Sequence, residues 1–173
     1  SDAPHRKYND ALVKLQDDLL ALHRDFDFGD ELILSRHGRV EGRELVINES
    51  RYKVVIAPPS LTWSSETVKL LTEFLDAGAK MLFVGEIPKL VDGEDAEAVW
   101  SDLLKHPSVE QVSAERETID DALEKKVPRS ISITEGKGNE IEEILVHHRV
   151  EGTRHIYFLA NKSRVKRYDA VIK

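Results

Sequence analysis

Residues 52–57 and 80–84 are two short, nearly unbroken apolar runs: Tyr52, Lys53, Val54, Val55, Ile56 and Ala57, then Lys80, Met81, Leu82, Phe83 and Val84. Strands covered on both faces lose the alternation of half-exposed strands. The segment between the runs repeats its apolar positions with the period of a helix, so the pattern predicts a βαβ unit. Pro58 and Pro59 cannot donate ladder hydrogen bonds and end the first strand. Ser64 is placed to cap the helix, and Glu66 falls in its first turn, against the positive end of the dipole. Val68, Leu71, Phe74 and Leu75 share one face, and Ala77-Gly78 closes the helix.

Upstream, Tyr8, Leu12, Leu15, Leu19 and Leu22 form one stripe of a helix expected to start near Asn9 or Asp10 and to fade at His23-Arg24. Phe26 and Phe28 are expected in the core. Residues 31–35 suggest a short helix, and 39–47 one or two strands broken by Gly42. Downstream, a helix over 94–105 carries Ala96, Val99, Trp100, Leu103 and Leu104 on one side and stops at Pro107. A short strand near Val109 and Val112 follows, then a helix over 115–126 with Ile119, Ala122 and Leu123, ended by Pro128. Beyond Pro128 the period becomes two. Ile131 and Ile133 alternate with polar residues. Ile144, Val146, His148 and Val150 share a strand face, Glu151-Gly152 marks a hairpin, and Tyr168, Ala170 and Ile172 alternate to Ile172. The expected architecture is α/β, a flavodoxin-like three-layer domain with a parallel sheet over residues 1–128. An antiparallel β meander over 129–173 either completes it or opens a β-sandwich.

The chain has 173 residues, no cysteine, 33% charged residues and a net charge of −7. Without cysteine there is no disulfide, thiolate nucleophile or cysteine-held metal, and localisation stays open. An acidic balance argues against general nucleic-acid affinity, which needs clustered Lys and Arg. No apolar run reaches membrane-spanning length.

A doubly wound sheet places its ligands beyond the carboxyl ends of its strands, here the loops 58–63 and 85–90. Neither holds G-x-G-x-x-G, a P-loop or a nucleophile elbow. The N-terminus of the helix at Ser64 is suited to an anion, with plain capping as the simpler role for Ser64 and Ser65. Glu86 is the best-placed acid but has no partner carboxylate for glycoside cleavage, and a cap or loop role is the simpler one. Asp25, Asp27 and Asp30 invite calcium, yet the EF-hand spacing is missing, which leaves them as loop and cap residues. His147 and His148 are neighbours on a strand and point to opposite faces, so they cannot chelate one metal. His148 shares a face with Val146 and Val150, as a satisfied buried histidine would. His147 lies with Leu145 and Arg149 on a basic face suited to a sugar or a neighbouring domain, with His155 across the hairpin. Ser60, Trp63, Glu86, His147 and Arg149 are thus candidate ligand or interface residues, none of them catalytic, and no metal or cofactor is expected.

Several segments together resemble a family: residues 52–59, the helix beginning near Ser65-Glu66-Thr67, Phe74 to Ala79, and Val84-Gly85-Glu86-Ile87-Pro88. Leu22 to Phe28 before them, and 146–152 and 156–163 after them, follow in the same order. They are similar to the amidotransferase-like (flavodoxin-like) domain of large bacterial glycosidases, the α-L-rhamnosidase-like enzymes and the trimerisation domain of β-galactosidases. In related glutamine amidotransferases a cysteine follows the strand where Gly85-Glu86-Ile87 stands; it is absent here, and that activity is not carried over. The resemblance implies an accessory role in a multidomain glycoside hydrolase whose catalytic carboxylates lie in a separate barrel. The implied partners are other domains of the same parent chain, further copies of the chain, or carbohydrate. A free-standing sugar or small-molecule binding module using the loops after the parallel strands is the alternative.

Overall fold

The computed structural model describes residues 3–136 and 138–173. These form two compact units. One contains the described residues up to Leu12 together with Phe28–Val127; the other contains Val13–Asp27 and Pro128–Lys173. Helix α1 (Ala3–Ala21) contributes to both and begins earlier than Asn9. Of its expected stripe, Leu15, Leu19 and Leu22 are buried, whereas Leu12 is partly exposed.

In the first unit, α2 (Glu31–His37) is capped by the Asp30 carboxylate, which accepts from the Leu32 and Ile33 amides. Strands β1 (Gly38–Glu41), β2 (Glu44–Ile47) and β3 (Ser50–Tyr52) make an antiparallel sheet in that order. Tyr52 therefore belongs to this sheet, and the first parallel strand, β4 (Val54–Ala57), is shorter than the apolar run. Two-residue β5 (Thr62–Trp63) and helix α3 (Ser65–Asp76) follow. Next come β6 (Lys80–Val84), β7 (Leu90–Val91), β8 (Glu94–Asp95), α4 (Glu97–Leu104), β9 (Val109–Val112) and α5 (Arg116–Lys126).

The parallel sheet has the order β4-β6-β9, with Val54 beside Lys80 and Met81 beside Val109. Alternation along β6 sends Met81 and Phe83 to one face, where they join Leu71, Phe74, Leu75, Trp100 and Leu103 of α3 and α4 in one core. Leu82 and Val84, equally buried, face the other way. Each large apolar side chain removed from water in this way stabilises the fold by roughly 1.5–3 kcal/mol. Gly78 (φ 84°) ends α3 as the sequence predicts, in a left-handed conformation that glycine adopts without a Cβ penalty. Phe28 is 62% exposed, against the expectation of a core role, because it precedes α2 on the surface. Among the described residues no helix is long and apolar enough to cross a membrane.

The second unit is antiparallel, as expected. β11 (Ile144–Glu151) pairs with β12 (Arg154–Asn161) around a turn at Gly152 (φ 61°), and β10 (Ile133–Glu135) pairs with β13 (Ala170–Ile172). The last strand thus lies beside β10 rather than continuing from β12. Asn161 explains the change of course: its side chain accepts from the Ser163 amide and donates to the Lys166 carbonyl, turning the chain off the β12 line. Ile131, Ile133, Ile141 and Ile144 form the small core, joined by Val146, Tyr157 and Tyr168.

His23 holds the end of α1 in this unit. It is buried at a left-handed φ of 54°, and its ring spans Glu140 (Nδ1 to Oε2, 2.8 Å) and the Ile141 carbonyl (Nε2, 3.1 Å). Glu140 also accepts from Ser132 Oγ (2.6 Å), the Ile133 amide (2.7 Å) and Arg129 (2.8 Å). Burial pushes this carboxyl up, but the Ser132, Ile133, His23 and Arg129 donors together outweigh it and hold Glu140 below the ordinary glutamate range. A depressed folded-state pKa contributes stability above the unfolded value that is lost as pH falls through the folded one. The hydrogen-exchange protection factor of the Ile133 amide is therefore expected to fall as pH drops below the ordinary glutamate range. In Glu140→Gln, which cannot titrate there, protection is expected to be lower throughout and to lack that step.

Candidate functional site

The loops after β4 and β6 are joined to each other. Between them, β5 and β7 pair in parallel, with Thr62 beside Leu90 and Trp63 beside Val91, and β8 completes a three-stranded ribbon. Leu61 accepts from the amides of Lys89 and Leu90, Trp63 O from Asp92, and Thr62 Oγ1 from Gly93. Strands of two residues carry no readable hydrophobic period, so this ribbon has no counterpart in the sequence pattern.

Trp63 anchors the ribbon. Its indole stacks on Phe83 (centroids 5.7 Å, 19°) and meets Trp100 edge to face (5.3 Å, 87°), an arrangement aromatic quadrupoles favour. Its Nε1 donates to Ser60 Oγ at 2.8 Å. The structure thus brings Ser60 and Trp63 together, with the serine serving the indole.

The N-terminus of α3 carries the features of an anion site, and the protein fills it with its own carboxylates. Ser64 Oγ accepts from the Thr67 amide, as its cap position predicts. Glu31, from α2, accepts from the Ser64 amide (2.8 Å) and hydroxyl (3.1 Å). Asp92, at the turn after β7, accepts from the Ser65 amide at 3.0 Å. Two side-chain anions therefore meet the amides that a bound phosphate would otherwise use. Glu31 and Asp92 lie 33 and 27 residues from their partners, beyond any local capping pattern.

Glu86 stands in the loop after β6, where its carboxylate is bonded to Lys7 Nζ at 2.6 Å. That hydrogen bond, with the Lys7 charge, holds the Glu86 carboxyl below the ordinary glutamate range. A general acid needs the opposite shift. Gly85 (φ 74°) turns the chain out of β6 close against Pro59: a Cβ there would lie 3.3 Å from the ring, and the Gly85 carbonyl accepts from Gln111.

His147 and Arg149 are on β11, in the second unit. His147 is exposed and tilts over Phe158 (6.2 Å, 31°), and Arg149 pairs with Glu151 at 2.9 Å. His148 is half-exposed rather than buried. It does point to the face of Val146, but the hairpin extends past the small core, leaving Val150 54% exposed.

No family model matches this chain, and no curated protein matches it. Among solved structures it is similar to the apo exo-carrageenase GH42 from Bacteroides ovatus, with a TM-score of 0.54 and 13% identity, over 88% of this chain and 20% of that one. The chain spans about a fifth of the length of that structure. At this identity the likeness is one of fold: the mixed α/β architecture found here also occurs inside a glycoside hydrolase.

Removing the Ser60 hydroxyl leaves a half-buried indole N–H without its acceptor. Ser60→Ala is expected to destabilise the α/β unit by about 1 kcal/mol. Both tryptophans of the chain lie in this core, so urea unfolding followed by tryptophan fluorescence reads the change directly.

Proposed function

We propose that this chain is a non-catalytic accessory domain of a multidomain glycoside hydrolase. Its amidotransferase-like (flavodoxin-like) α/β unit supports a catalytic domain carried elsewhere in the parent protein or mediates self-association. The observation that carries this reading is the state of the two loops beyond the parallel strands. Ser60 serves Trp63, Ser64 caps α3, Asp92 and Glu31 cover the exposed amides, and Glu86 is paired with Lys7. The Ser60, Ser64 and Glu86 side chains in and beside these loops are thus committed to the scaffold. The fold likeness to one fifth of a glycoside hydrolase supports the accessory role, since it accounts for most of this chain and little of that enzyme.

Support of a neighbour requires apolar surface, and the first unit has it. Leu32 (65% exposed) and Ile33 on α2, with Leu61 in the loop after β4, are apolar side chains open to solvent. The Glu31–Ser64 hydrogen bonds tie the start of α2 to the start of α3, where that loop ends.

The purified chain is expected to give no turnover of aryl glycosides across a panel of sugars. Hydrolysis that the Glu86→Gln substitution abolishes would overturn the accessory role. Loss of turnover in Glu86→Gln with an unchanged unfolding midpoint would assign the chemistry to that carboxylate.

A further inference from the structure

His148 and His155 lie on the same face of the β11–β12 hairpin, diagonally across the two strands. His148 Nε2 and His155 Nδ1 are 2.9 Å apart. The ring planes differ by 10°, and the centroids are 5.0 Å apart. Parallel rings whose nitrogens approach to 2.9 Å cannot overlap face to face, because their carbons would then be closer than van der Waals contact. The imidazoles therefore meet edge to edge, nearly in one plane, with one proton held between two nitrogen lone pairs. Tyr157, directly opposite His148 in the register, stacks on the face of the His148 ring (4.4 Å, 7°). The Tyr157 hydroxyl in turn donates to the Ser130 carbonyl.

We propose that His148 and His155 form a two-imidazole site for a divalent transition-metal cation, Cu²⁺ in the first place, which replaces the shared proton. Two imidazole nitrogens in adjacent positions about 2.0 Å from a metal are about 2.8 Å apart at a right angle and about 3.3 Å apart at a tetrahedral angle. The observed 2.9 Å is within reach of either spacing, and imidazole donors hold Cu²⁺ more tightly than the other first-row divalent cations, which makes Cu²⁺ the first probe. The lone pairs face each other along the hydrogen bond, so both side chains turn outward to converge on one cation. Nitrogen binds metal only when unprotonated, so the shared proton leaves to solvent as the cation enters. Both histidines are open to water, which fills the remaining coordination positions. Among the described residues no group of three or more His, Cys, Asp or Glu is arranged to hold a metal, so this is a two-residue, open site.

The test is a Cu²⁺ titration of the purified chain by calorimetry, with glycine present as a competitor to suppress adventitious sites, and electron paramagnetic resonance of the equimolar complex. One Cu²⁺ per chain is expected, with a tetragonal spectrum showing coupling to two imidazole nitrogens. His148→Gln and His155→Gln are each expected to weaken binding by about tenfold or more and to leave one coupled nitrogen. His147→Gln, on the opposite face, is expected to change neither. The site is exposed, so circular dichroism of the two variants is expected to match the parent. Copper affinity unchanged in both variants, or a parent spectrum without two-nitrogen coupling, would overturn the proposal.

Discussion

The first unit depends on one aromatic contact at the end of its parallel sheet. Trp63 leaves the surface immediately before α3 and lays its indole on Phe83, the last but one residue of β6, with the edge of Trp100 from α4 closing the third side. That contact ties the loop after β4 to the second parallel strand and to the following helix. Burial of this kind is non-directional, but the stacked and edge-on geometries set the orientation of the ring, and the Ser60 hydrogen bond fixes its polar edge. Once Trp63 is seated, its backbone is in place to pair with Val91, and the ribbon of β5, β7 and β8 follows.

The proposed accessory role rests on what this arrangement uses up. Doubly wound folds owe their versatility to loops that project free groups beyond the strand ends. Here the two loops hydrogen-bond to each other, and the helix N-terminus between them faces Glu31 and Asp92. A site already satisfied by the protein's own anions has little to offer a phosphate or carboxylate ligand, because such a ligand would first have to displace them. The exposed ion pair between Glu86 and Lys7 pushes the carboxyl toward its ionised form, away from proton donation.

Much of the fold was legible in the sequence where several local signals agreed. The β4–α3–β6 unit has two apolar runs, a proline stop, the Ser64 cap and Gly78 at the helix end, and apart from Tyr52, which joins β3, each occupies its expected place. What escaped was either too short or too distant. The two-residue strands β5, β7 and β8 have no period, and the carboxylates that cover the start of α3 come from 27 and 33 residues away. Alternation places His148 on the face it occupies, but its exposure depends on how far the hairpin runs past the Ile131, Ile133, Ile141 and Ile144 core, which alternation alone does not encode. The partner of the last strand was likewise set by the Asn161 turn rather than by hydrophobic pattern. Of the candidate residues, Ser60 and Trp63 were recognisable from their place after a parallel strand, although their bond to each other was not.

Hydrogen bonds between the two loops, with Glu31 and Asp92 on the start of α3, close the mouth of the parallel sheet. Amide ¹H–¹⁵N spectra of the labelled chain, recorded with increasing monosaccharides, uronic acids and inorganic phosphate, test that closure most directly. The amides of residues 60–65 and 85–92 are expected to keep their chemical shifts throughout. A saturable shift confined to those two segments would show an open ligand site and contradict the account.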